Sequence, residues 1–248
     1  DEGVFGYALP PHAWHDSLRR WLHRRHGWKV ESSSILDATG VIPALAATIR
    51  AFCVPGDKVI VQTPVYNCFF RTIRNQGCEV LESPLRRVAA KDGSNGDFTY
   101  EMDFDDLERK VSDPRAKLFL LCNPHNPTGR VWREEELRRV IDICLENDVF
   151  VVSDEIHGDL IRKTEKYIPA LTLYPDCKRI IACTAPSKTF NIAGNQLSNI
   201  IIPDEEIAKK WWDAHLCGMP NPIALAACQA AYGDAESEEW LEELREYL

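Results

Sequence analysis

No apolar run in this chain approaches the roughly 18 residues that carry a helix across a bilayer, and no signal-peptide pattern opens it. A membrane partner is therefore not expected. Positive charge is also in short supply, with 29 Lys and Arg against 38 Asp and Glu and a net charge of -9. No basic stripe stands above that background, so nucleic acid is not an expected partner either. The densest basic run, Arg19, Arg20, His23, Arg24, Arg25 and His26, interleaves with Trp14, Leu18, Trp21 and Leu22 and reads as the solvated face of an amphipathic helix. Nine cysteines occur without a Cys-x-x-Cys pair or an even framework. That pattern suits reduced thiols and a cytoplasmic setting rather than secreted disulfides. Internal repeats and low-complexity segments are missing too.

What is present is alternation. Helical patterns at 12–26, 42–53, 66–76, 104–111 and 133–147 are interleaved with apolar strands at 58–62, 79–85, 117–122, 149–154, 179–185 and 197–203. A short apolar run, Ile35 and Leu36, leads to Gly40, and three helices are predicted over 204–248. Residues 86–101 form a polar excursion, expected to be a surface hairpin or loop. Strands apolar throughout and separated by helices predict an α/β fold, a three-layer α/β/α domain around a mostly parallel sheet. Trp240, Leu241, Leu244, Tyr247 and Leu248 share a helical stripe that stops without a cap, and the first residue is Asp1. The expectation is a piece of a longer chain: a large domain over 1–235, then, at 236–248, the start of a helix leading to a C-terminal domain.

In such sheets ligands bind at the carboxyl ends of the strands. Four of these ends carry polar residues. Thr39 and Gly40 precede a helix, where free N–H groups suit a phosphate, although many α/β turns have a glycine there and bind nothing. "CNPHNPTG" at 122–129 holds two Asn-Pro pairs; one pair alone would be a rigid turn. Asp154 and Glu155 follow buried Val152, a place equally suited to a helix N-cap. Lys188 follows a strand in "CTAPSKTF" and by itself reads as a surface lysine. An inward, desolvated amine there would instead suit a covalent bond to an aldehyde. A phosphate cradle, an asparagine, a carboxylate and a lysine together match the needs of pyridoxal 5′-phosphate.

The segments "VFGY" (4–7), "PVY" (64–66), "NPHNPTGRVW" (123–132), "SDEIHGDL" (153–160) and "TAPSKTFNIAG" (184–194) carry a resemblance along essentially the whole chain. The sequence resembles the fold-type I, class I/II aminotransferase superfamily, and within it the cystathionine β-lyase, or C–S lyase, branch. The resemblance implies Lys188 as the Schiff-base lysine that also moves the substrate α-proton, and Asp154 as the partner of the pyridine N–H. It implies Asn126 on the phenolic oxygen, with His157 where many relatives have a tyrosine for that oxygen. Tyr66 would stack on the ring, its alternative being an ordinary core aromatic at a helix start. Gly40, Val41 and Ile42 would face the phosphate, with Thr184 or Ser187 adding a hydroxyl. Tyr7 would reach the phosphate of the other subunit in a homodimer. Gln196 stands where many aminotransferases have an arginine. The implied activity is α,β-elimination on a cystathionine- or cysteine-like amino acid, with aminotransferase and non-catalytic regulatory domain as the alternatives. The substrate-carboxylate arginine would lie beyond residue 248.

Overall fold

A computed structural model of the chain describes Gly3 and residues 6–89, 98–216 and 219–248. The first half runs α1 (His12–His26), β1 (Ile35–Ala38), α2 (Val41–Phe52), β2 (Lys58–Val61), α3 (Cys68–Asn75), β3 (Glu79–Glu82), β4 (Arg86–Ala89) and β5 (Phe98–Glu101). Next come α4 (Phe104–Val111), β6 (Ala116–Cys122), α5 (Glu134–Glu146), β7 (Phe150–Asp154), α6 (Ala170–Leu173) and β8 (Ile180–Thr184). The last part is α7 (Pro186–Thr189), β9 (Ser198–Ile201), α8 (Glu205–Ala214), α9 (Pro222–Gly233) and α10 (Ala235–Tyr247). Local chemistry explains the boundaries. At the start of α5, Glu136 accepts the Arg133 backbone N–H at 2.9 Å, and three glutamates fill the first turn.

Seven strands form one sheet in the order β1-β9-β8-β7-β6-β2-β3. Strands β3, β2, β6, β7 and β8 pair in parallel, and β9 runs antiparallel to both β8 and β1. The expected three-layer α/β/α architecture is therefore present. Side chains alternate across the sheet with the period of two. Phe119, Leu121, Val151 and Ala182 enter one core with residues of α1, α4, α5, α9 and α10. Leu118, Leu120, Val152, Ile181 and Cys183 enter the other with α2, α3 and α8.

Three expectations shift in detail. The helix predicted from 66 begins at Cys68, leaving Tyr66 in the irregular segment before it. The strand predicted to 85 ends at Glu82, although Ser83 N–H and Leu85 N–H still reach Val61 and Thr63 carbonyls at 2.9 and 2.8 Å. Pro64 and Pro84 have no N–H to donate, so the regular ladder cannot continue. The polar excursion at 86–101 is an antiparallel hairpin of β4 and β5, with residues 90–97 outside the described part.

In α10 only Leu241 of the predicted stripe is buried, while Tyr247 is exposed and Leu248 too. The helix docks instead through charge: Arg25 meets Glu238 at 3.1 Å and Glu242 at 2.7 Å. Among the described residues no helix is long and apolar enough to cross a membrane, and no cysteine is in a disulfide.

Candidate active site

Strand alternation separates the two adjacent acids at the end of β7. Glu155 turns to one side of the sheet, where it accepts the Ser153 hydroxyl at 2.8 Å, the Ala170 N–H at 2.8 Å and the Tyr167 hydroxyl. Its hydrogen-bonding capacity is occupied inside the fold. Asp154 turns to the other side and, among the described residues, accepts only the Ile156 N–H, at 3.2 Å. No helix follows directly, so the N-cap alternative does not apply. Burial pushes the Asp154 carboxyl up to about 7; the neighbouring Glu155 charge adds to this, while the Ile156 hydrogen bond and the Lys188 charge oppose it. In register on either side of Asp154 stand Cys122 of β6 and Cys183 of β8. Burial, then the Asp154 charge, raises both thiols, so they flank the acid as neutral groups.

Lys188 sits on α7, immediately after β8, close enough for its charge to act on both Asp154 and His157. Of the two readings the sequence offered for Lys188, a surface lysine or an inward, desolvated amine, the structure shows an exposed residue. The four-residue α7 starts at the rim of the sheet and carries its third residue outward, while Thr189 beside it is fully buried. Burial and then the Lys188 charge push the His157 imidazole down. Tyr66 is 39% exposed and edge-on to Phe69, which sets aside the core-aromatic alternative. A bond to Cys68, partial burial, and the Cys68 and Asp154 charges raise its hydroxyl. The charge of Lys188 thus acts on Asp154 and His157, and that of Asp154 on Tyr66.

Asn126 is half-buried after β6, and its backbone N–H points to the Cys122 sulfur at 3.3 Å. Both Asn-Pro bonds of this turn are cis, and Gly129 closes it at φ 70, a left-handed conformation that suits glycine. Asn126 and His157 line a cavity of about 890 Å³ together with Thr128, Arg130, Arg162 and Glu165. Neither Lys188 nor Asp154 is in the wall of this cavity.

Gly40 is the N-cap of α2 and offers no side-chain cap to the first N–H groups of the helix, at Val41 and Ile42. The pairings Asp37↔Asn199 and Thr184↔Asn199 bring the ends of β1 and β8 to either side of one residue. The Asn199 amide donates to Thr184 Oγ1 at 3.1 Å and to the Tyr232 hydroxyl at 3.2 Å. With its oxygen accepting there, the Thr184 hydroxyl still has its own proton to donate. Ser187, half-buried, precedes Lys188 on α7, and Gln196 is exposed with φ 51 just before β9. Tyr7 is 98% exposed and is not brought to the other site residues within this chain; Val4 and Phe5 of the same motif lie outside the described residues.

Sequence reading missed Cys122, Cys183 and Asn199. The thiols acquire meaning only through strand pairing. Asn199 did leave a signal, as an amide beside Ser198 in the mostly apolar "LSNIIIP". Gly158 was also unexplained: a Cβ there would stand 2.6 Å from Tyr167 Cε1, the ring that donates to Glu155. Gly158→Ala is expected to destabilise the fold by about 1–3 kcal/mol, measured by chemical denaturation.

The aminotransferase class I and II family model matches residues 8–248. The cystathionine β-lyase PatB of Bacillus subtilis is 45% identical over all of this chain and 62% of its own length. The structure of cystalysin from Treponema denticola, which contains a pyridoxal 5′-phosphate cofactor, superposes with a TM-score of 0.91 at 36% identity, covering 99% of this chain and 61% of that one. A pyridoxal-phosphate-bound C–S lyase from Staphylococcus hominis superposes with 0.89 at 36% identity, covering 98% of this chain and 61% of that one. The chain spans less than two thirds of the length of each of these proteins.

Proposed function

The chain belongs to the aminotransferase class I and II family, and from that premise we propose that it is the cofactor-holding part of a pyridoxal 5′-phosphate-dependent carbon–sulfur β-lyase. The observation that carries the reading is a buried, incompletely bonded Asp154 beside the exposed Lys188 at the carboxyl ends of β7 and β8. A buried carboxylate needs a cationic or hydrogen-bonding partner, and a protonated pyridine nitrogen supplies both. The residues present therefore fit the group.

Lys188 Nζ would hold the cofactor covalently. Asp154 would keep a proton on the ring nitrogen, Asn126 and His157 would face the phenolic oxygen, and Tyr66 would cover the ring. The Val41 and Ile42 N–H groups, with the Thr184 and Ser187 hydroxyls, would hold the phosphate. When bound, the cofactor supplies an electron-withdrawing ring that acidifies the substrate α-carbon. Lys188 Nζ, released by the substrate amine and neutral, would then take the Cα proton, and loss of the β-thiolate follows on the substrate. Tyr7, nearly fully exposed on one copy, would complete the phosphate contacts of a second copy in a homodimer. The substrate class, a cystathionine- or cysteine-like amino acid, rests on what the similar proteins are named for.

The test is incubation of the full-length protein and cofactor with L-cystathionine. Release of thiol and pyruvate is expected. Amino-group transfer to a keto acid without thiol overturns the lyase reading, and cofactor binding without turnover favours a regulatory domain.

A further inference from the structure

Asp159 lies five residues beyond Asp154 on the same connection, yet it faces away from the acid and towards α1 and α7. Its side chain is only 11% exposed. Trp21 Nε1 donates to both carboxylate oxygens at 3.2 Å, His26 Nε2 lies 2.8 Å from Oδ1, and Arg25 Nε is 3.9 Å away. The remaining bond comes from the Thr189 hydroxyl, at 3.1 Å to Oδ2. Thr189 is the residue next to Lys188 and is fully buried. A buried carboxylate with this many donors is held in place from several elements at once.

The turn it holds has little stability of its own. Helix α7 is four residues long and lacks a side-chain cap at its start, and one helical turn in isolation is unfavourable. Lys188 itself is exposed, whereas Thr189 beside it is fully buried. Beside the backbone bonds of the turn, the Thr189 hydroxyl ties it to Asp159. Arg25 extends the anchor, since Glu238 and Glu242 of α10 grip the same guanidinium.

We propose that Asp159 is a positioning residue for Lys188: by holding Thr189 Oγ1 it sets the orientation of the short turn from which Nζ would reach the cofactor aldehyde. This rests on the cofactor reading above and adds to it a part that neither strand-end chemistry nor the motif supplies. Misplacing a reacting group by about 1 Å costs on the order of 100-fold in rate, so loss of this one hydroxyl should be visible in the bond-forming step itself.

The full-length protein is freed of cofactor and mixed with pyridoxal 5′-phosphate. Covalent capture is followed by visible absorbance, borohydride fixation and mapping of the modified lysine. Thr189→Val removes the hydroxyl at nearly constant volume. It is expected to slow capture at Lys188 by about tenfold to 100-fold and to lower kcat more than it raises KM, while the cofactor-free melting temperature stays near that of the parent. Thr189→Ser should restore both. Asp159→Asn gives a second route, with a similar slowing that Thr189→Val does not multiply in the double variant. Capture by Thr189→Val at the parental rate, or fully multiplicative effects in the double variant, overturns the positioning role alone. Failure of the parent protein to be modified at Lys188 overturns the cofactor reading and this role with it.

Discussion

Lys188→Ala is expected to abolish turnover and the borohydride-fixable bond to cofactor while leaving the fold intact. The two halves of this expectation have separate causes. The Lys188 side chain is exposed and Thr189, not Lys188, carries the buried contacts of α7. Removing an exposed side chain away from packing changes stability by about 0.5 kcal/mol or less. Loss of a positioned base alone removes roughly 10²–10⁴-fold of rate, and loss of the covalent tether adds to that. The measurements are thiol release, the visible absorbance of the cofactor-loaded protein, and a melting curve without cofactor. A variant that keeps the fixable bond places the reactive amine elsewhere.

Asp154→Asn should move activity and stability in opposite directions. Its carboxyl is raised to about 7 by burial, against about 3.9 when unfolded. A raised acid contributes stability that is fully present below the unfolded value and is lost as pH rises through the folded one. Without cofactor, the protein is therefore expected to lose stability between roughly pH 4 and 7, by at most on the order of 4 kcal/mol from this group. The asparagine variant cannot ionise and escapes that loss, so its melting temperature at pH 8 should exceed the parent's. Cofactor should flatten the parent's pH dependence, because a cationic ring nitrogen favours the ionised acid. Turnover of the variant should nonetheless fall by about 10²–10³-fold, the size of effect seen when a charge-stabilising group is removed from an active site. Equal pH dependence of stability in parent and variant would refute the buried-acid account.

Asp154 and Glu155 show how far the sequence could be read. Both acids follow an apolar strand, and no local pattern says which of them is available for chemistry. The alternation of β7 decides it, because Ser153, Tyr167 and Ala170 occupy Glu155 while Asp154 has a single N–H donor among the described residues. Lys188 was identifiable by its motif, but its exposure was not, since that depends on a four-residue turn too short for any periodic signal. Tyr66 was expected in a helix and lies just before one, where Pro64 interrupts the pairing.

By itself, the chain's pattern of apolar strands and amphipathic helices determined the layered fold, because burial on both faces of a parallel sheet demands it. It also determined which strand ends carry polar residues. Only the tertiary structure decided that Asn199 donates to the Thr184 hydroxyl, that two thiols flank Asp154, and that Asp159 reaches Thr189 from another connection. The reason is that hydrogen bonds between distant segments depend on strand register and side-chain direction. Periodicity along a single segment carries neither.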